Sequence, residues 1–337
     1  MNNHTKTGVL LINLGTPDSP KVSDVRSYLT QFLNDPRVID LPWLARKLLV
    51  NLIIIPKRAR ASAAEYQKVF NKKGSPLLYH SVSITDKVQN ILGDDYGVHL
   101  AMRYKQPSIE DTLAKMQALH YDKIIVLPLF PQYASSTNGS AIEEVMRIVR
   151  KWWVIPNMEF ISQFYTDQNY IDLVSKRAQP FNLEAYDHIL FSFHGLPIRH
   201  IDKVFKERPA SSEERNGSLN AKNTYSYETA CKETTARIAE NLGLSESNYS
   251  LCYQSRLGKE WLLPYADKKI EELAKEGKKK LLVFSPAFVA DCLETLVEIG
   301  EGYETLFQSF GGESLELVPS LNDSDDWASC ISKYIRK

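Results

Sequence analysis

Residues 187–197 read DHILFSFHGLP, and the fold follows from them. Ile189, Leu190, Phe191 and Phe193 make a short apolar run, after which His194, Gly195 and Pro197 end a strand and turn the backbone. A strand this apolar is covered on both faces, as parallel strands of α/β sheets are. Open α/β sheets bind ligands at the carboxyl ends of their strands, where His194 falls. The plain alternative is a buried histidine hydrogen-bonded to a carbonyl.

Seven further segments share this character: GVLLINLG from Gly8, GVHLAMRY from Gly97, KIIVLPLFP from Lys123, MEFISQFY from Met158, YSLCYQS from Tyr249, KLLVFSPAF from Lys280 and LELVPSL from Leu315. Charged stretches with helical periodicity separate most of them, as βαβ units require. Four strands fall in each half of the 337-residue chain, a length that suits two domains. The expected division is residues 1–166 and 167–324, with a last helix from Asp325 packing back on the first domain. PDSP at Pro17, KKGSP at Lys72 and the polar stretch from Glu207 read as loops, the last as a mobile surface loop of little chemical consequence.

Lysine plus arginine equals aspartate plus glutamate at 41 each, so a nucleic-acid surface, which leaves a basic excess, is not expected. The N-terminal MNNHTKTGVLLINLG reads as a first strand, not a signal peptide. Cys231, Cys252, Cys292 and Cys330 show no C-x-x-C spacing and fit reduced thiols in a cytoplasmic protein. Residues 41–55, LPWLARKLLVNLIII, are too broken by charge to span a bilayer, and PKRAR follows them. They are either a core helix with a charged end or an exposed apolar lip that touches a membrane or an apolar ligand.

A second chemistry-bearing stretch, FSPAFVADCLETLVEIGEGYETL from Phe284, runs from a strand into a helix. Asp291, Glu294, Glu298 and Glu301 line one face of that helix if its period is the ordinary one. Its first turn lies on the same rim as His194, so Glu294 is the carboxylate expected there. Imidazole and carboxylate can take protons from a substrate, or hold a divalent first-row metal such as iron in passing. Two weaker signals are LPLFPQYASSTNGS from Leu127, whose hydroxyl run either caps a helix or binds an anion, and YQSRLGKEWLLPYAD from Tyr253. In the latter Arg256 can pair with a carboxylate and Trp261 can line a flat apolar pocket.

Together these stretches resemble the ferrochelatases, which insert Fe(II) into a porphyrin at the end of haem synthesis. LINLGTPDSP, the RY of GVHLAMRY, LPLFPQY-x-S-S-T-x-G-S, SFHGLP, YQSR-x-G…WL-x-PY and D-C-L-E-T-L occur in the family's order through nearly the whole chain. The resemblance implies an α/β fold of two similar domains, each a four-stranded parallel sheet flanked by helices (chelatase, Rossmann-like), with a cleft between them. It implies insertion of Fe(II) into protoporphyrin IX, with loss of two protons, to give protohaem. By resemblance His194 and Glu294 are catalytic and hold Fe(II) transiently, and Glu298 continues an acidic path. Arg58 and Arg103 match arginines that contact porphyrin carboxylates, and Tyr133, Trp261 and Phe288 are substrate-binding. Residues 41–60 match a hydrophobic lip at the cleft mouth, a possible peripheral membrane contact at the cytoplasmic face of the inner membrane.

Cys292 stands where many members carry histidine, which removes the grounds for a metal role there. Cys330 is the sole cysteine of the tail, so no iron–sulfur cluster and no tightly bound cofactor is expected. Rival readings are a non-catalytic haem carrier, a cobalt chelatase for a sirohydrochlorin-type ring and a binding protein for small polar ligands. Oligomeric state and the choice between protoporphyrin and coproporphyrin stay open.

Overall fold

The computed structural model describes residues 6–205 and 209–337. All eight expected segments are strands, in two all-parallel sheets of four. In the first unit β1 (Thr7–Gly15), β2 (Tyr96–Tyr104), β3 (Lys123–Pro128) and β4 (Asn157–Phe160) lie in the order β2-β1-β3-β4. In the second, β5 (His188–His194), β6 (Tyr249–Gln254), β7 (Lys280–Phe284) and β8 (Ser314–Leu317) repeat the arrangement as β6-β5-β7-β8.

The apolar runs explain the layering. Val9, Leu10, Leu11 and Ile12 of β1 are all fully buried, and Ile189, Leu190, Phe191 and Phe193 of β5 are no more than 2% exposed. Successive side chains point to opposite faces, so these strands are covered on both sides by helices. Each such side chain contributes on the order of 1.5–3 kcal/mol of apolar burial.

The first unit holds the chain up to Phe130, then Ala134–Gln163 and Asn322–Lys337; the second holds Pro131–Tyr133 and Phe164–Leu321. The break thus falls between Gln163 and Phe164, three residues before the position read from sequence. The helix Asp325–Arg336 packs in the first unit against the helix Pro76–Leu92, burying Trp327, Ile331 and Ile335. Asp323 secures the join: its carboxylate lies 2.6 Å from His80 Nδ1 and accepts from Ser83 Oγ at 2.6 Å.

Residues 43–69 form three consecutive pieces, the helix Trp43–Leu48, a π-helical stretch Leu49–Ile54 and the helix Ile55–Val69. Val50, Ile55 and Ala59 pack into a core with Leu33, while Trp43 and Leu52 are 66% and 68% exposed. Both sequence readings therefore hold in part, a core face and an exposed apolar face on one segment. Among the described residues no helix is long and apolar enough to cross a membrane.

The polar stretch after position 208 is fastened rather than loose. Ser211 and Glu214 form a capping box on the helix Ser212–Asn216. Asn223 is fully buried and donates to Ser218 O, and Ser226 Oγ donates to Arg215 O. Glu207 and Arg208, the start of the expected loop, lie outside the described residues, as do residues 1–5 of the N-terminal stretch MNNHTKTGVLLINLG.

Candidate active site

His194 is the last residue of β5 and is half-buried, whereas the six residues before it are buried. It is not sealed in a core. Its Nδ1 lies 2.7 Å from Gly195 O. A carbonyl only accepts, so Nδ1 carries the hydrogen, and in the neutral ring Nε2 then holds the lone pair. The backbone is pinned too, because Tyr227 donates its phenol to His194 O at 2.9 Å.

Gly195 makes the turn possible. Its N–H donates to Gln254 O at 2.8 Å, and a Cβ there would stand 2.9 Å from the same oxygen and 3.3 Å from Trp261 Cε3. Trp261 is drawn over the turn by a bridge to Pro197 and by the Leu262 N–H donating to Leu196 O at 3.0 Å. Trp261 therefore packs on the Gly195–Pro197 turn that follows His194.

Glu294 begins a π-helix that runs to Tyr303. Stretches of i→i+5 hydrogen bonding are rare and occur often at functional sites. Its wide turn corrects the acidic face read with ordinary helical spacing. Glu298, four residues on, still lies near the face of Glu294, but Glu301, seven residues on, is carried around the helix and is exposed. Asp291 lies before the helix, is buried, and accepts from Thr295 Oγ1 at 3.2 Å and from the Ser320 N–H at 3.3 Å. This carboxylate braces the start of the π-helix.

Glu298 is held by three donors: Gln254 Nε2 at 3.1 Å, Ser255 Oγ at 2.5 Å and the Tyr303 phenol at 3.2 Å. Burial, and then the Glu298 charge, keep the Tyr303 phenol protonated far above its usual range. Ser255 reaches Glu298 from a left-handed backbone, φ 62°, a conformation that costs a non-glycine residue on the order of 1 kcal/mol. Cys292 is buried, and its thiol is pushed up first by that burial and then by the adjacent Glu294 carboxylate. A thiol held neutral is a poor metal ligand.

One residue overlooked in the sequence joins these parts. Gln254 is 1% exposed and stands in register with His194 on the neighbouring strand. Its amide donates to Glu294 O and to Glu298, and its side-chain oxygen accepts from Ser192 Oγ at 2.7 Å. The YQSR motif contained this signal, since a polar residue closing a buried strand must find internal partners.

The other expected site residues have more varied surroundings. Tyr133 is half-buried and meets Tyr225 edge-on at 5.4 Å. Phe288 is half-buried and, with Tyr170, Phe284 and Val318, lines a cavity of about 20 Å³, far too small for a tetrapyrrole. Arg256 is taken by Asp267 at 2.8 Å and lies over the Tyr265 ring. In the first unit Arg58 is exposed on the helix Ile55–Val69. Arg103 is instead drawn into a network: its Nη2 meets the buried Asp35 at 2.7 Å and its Nε donates to Ser140 Oγ at 2.7 Å. The hydroxyl run is also spent internally, with Asn138 bonded to Phe130 O and Ser162 O and Ser135 to Arg37. These bonds anchor the start of the helix Ser140–Val149.

A family model described as Ferrochelatase matches residues 6–337. The chain belongs to the ferrochelatase family. A ferrochelatase of Coxiella burnetii (strain CbuK_Q154) is 45% identical over 341 residues, covering 100% of this chain and 95% of the relative. Ferrochelatases of Pseudomonas fluorescens Pf-5 and Legionella pneumophila Lens are 42% and 40% identical, with 97% and 98% of this chain covered and 97% and 99% of theirs. Among solved structures, SirB from Bacillus subtilis with Fe3+ aligns with a TM-score of 0.57 over 98% of this chain and 94% of its own. At 10% identity that likeness concerns the fold alone. Within the ferrochelatase family the chain is a metal-chelating enzyme with Fe(II) as substrate. Among its described residues no group of three or more His, Cys, Asp and Glu side chains could hold a metal ion.

Proposed function

We propose that the chain inserts Fe(II) into protoporphyrin IX at the rim formed by His194, Glu294 and Glu298. The free ring carries two N–H protons; both leave as the metal bonds to the four ring nitrogens, giving protohaem and two H⁺. The observation that carries the assignment is the half-buried His194 imidazole, its Nδ1 bonded to Gly195 O, on a strand whose neighbour's Gln254 holds the Glu294 backbone and the Glu298 carboxylate.

His194 Nε2 accepts a pyrrole proton. Glu294 brings Fe(II) to the ring or removes the second proton, and Glu298 continues the route along the π-helix. One imidazole and one or two carboxylates bind iron weakly, which suits a metal that must be handed on. Trp261 offers the ring a flat apolar wall beside the imidazole, with Tyr133 and Phe288 as further apolar contacts. Arg58, exposed, meets a propionate; Arg103 does so through Nη1, because Asp35 and Ser140 occupy its other nitrogens.

The exposed Trp43, Leu44, Leu52 and Ile53 offer a poorly hydrated substrate an apolar entry. The test is absorbance of protoporphyrin IX with purified protein and Fe(II) under anaerobic conditions. Conversion to the haem spectrum at a rate proportional to enzyme supports the assignment; porphyrin binding without conversion would make the chain a carrier.

A further inference from the structure

One surface feature takes no part in this chemistry. Between the helix Ser140–Val149 and β4 the chain reads RKWWVIP from Arg150 to Pro156. Trp153 is 101% exposed, Val154 79% and Ile155 54%, and Met146 on the preceding helix is 57% exposed. A tryptophan this exposed projects from the surface. The tip is nevertheless firmly based. Trp152 packs against the core with Ile148 and Val149, its N–H donates to Val149 O at 2.9 Å, and the Asn157 N–H donates to Asp122 O at 3.0 Å beyond it.

We propose that this tip docks the protein on an anionic lipid surface. Its chemistry is that of interfacial anchors, an indole and branched aliphatics flanked by cations. Arg150 and Lys151 are exposed beside it, and Arg147 lies a turn earlier, paired with Glu144. Each cation adds roughly 1 kcal/mol near an anionic bilayer. Of the nearby acids, Glu159 is paired with Lys123, and Asp94 and Asp95 lie beside β2 at the opposite edge of the sheet; Asp122 is exposed. A protein partner is the weaker reading, because a convex tip of a few side chains falls well short of the roughly 1,000 Å² a stable interface buries.

Position favours the same occupant. Ser140 bonds to Arg103 at the carboxyl end of β2, and ten residues of helix, roughly 15 Å, lead from it to the amino end of the sheet where the tip stands. The apolar lip belongs to the other end, since Asn34 bonds to Asn51 and Asp35 to Arg103. A tip on the membrane leaves the lip open to porphyrin.

The test is co-sedimentation of the full chain with phosphatidylcholine vesicles, with and without phosphatidylglycerol. Wild type is expected to bind the anionic vesicles, more weakly as salt is raised. Trp153→Ala combined with Val154→Ser, and Arg150→Glu combined with Lys151→Glu, should each weaken binding at least about tenfold. Leu44→Ser combined with Leu52→Ser should bind as wild type does. Turnover of detergent-dispersed porphyrin should be unchanged in the tip variants, which shows them folded. Tip variants that bind normally, loss confined to the lip variant, no wild-type binding to either vesicle, or self-association through the tip would each overturn the proposal.

Discussion

His194 and Gln254 are register partners at the carboxyl ends of two adjacent parallel strands, and the Gln254 amide also holds both the backbone of Glu294 and the carboxylate of Glu298. A single buried side chain thus ties the strand beside His194 to the start of the π-helix and to Glu298. Replacing Gln254 by Leu leaves Glu298 without one donor and Ser192 without its acceptor, a loss of about 2–4 kcal/mol. The expected signature is a lower kcat and a higher KM for Fe(II), with porphyrin affinity little changed. Steady-state kinetics with each substrate varied, alongside a denaturation curve, checks this; a variant that loses stability but keeps both constants would make Gln254 purely structural.

Glu294→Gln retains shape and removes charge. Turnover should fall by about 100-fold or more, the usual contribution of a positioned acid–base group, while protoporphyrin binding measured by fluorescence quenching persists. A near-normal rate would remove Glu294 from the chemistry.

Gly195→Ala tests the packing that sets the imidazole. Its methyl group would meet a backbone oxygen, Gln254 O, at 2.9 Å, and backbone cannot yield as a flexible side chain does. Strain of this kind costs about 1–3 kcal/mol. Thermal denaturation should show the loss, and porphyrin binding should weaken as Trp261 is displaced from the turn.

Stability should fall as the solution is acidified from about pH 6.5 towards pH 4. His188 is buried and its pKa is lowered to about 4, chiefly by that burial. Between its ordinary value and that one, the unfolded chain binds a proton that the folded chain does not, so the folded state is favoured progressively less as pH drops, and the effect levels off below about pH 4. Denaturation midpoints measured across this range should show a shallower slope in His188→Gln.

The strands were legible because a parallel strand covered on both faces must be a nearly continuous apolar run, as in residues 189–193, where the one polar residue, Ser192, is buried. His194 and Glu294 were legible because strand ends and the helix starts that follow them share a rim. The π-helix was not, since spacing read at 3.6 residues per turn assumes the ordinary period; Glu301 leaves the expected face for that reason, and Asp291 because the helix starts after it. Long-range polar pairing was equally hidden. Arg103 finds Asp35 across 68 positions, and Gln254 finds Glu298 across 44, and no local pattern announces either.

If the His194 imidazole takes a porphyrin proton during metal insertion, removing it must slow the reaction. Anaerobic turnover of His194→Ala with protoporphyrin IX and Fe(II), measured beside its porphyrin affinity, tests this most directly. The account predicts insertion reduced by at least about 100-fold with affinity largely kept; turnover at the wild-type rate in this variant would contradict it.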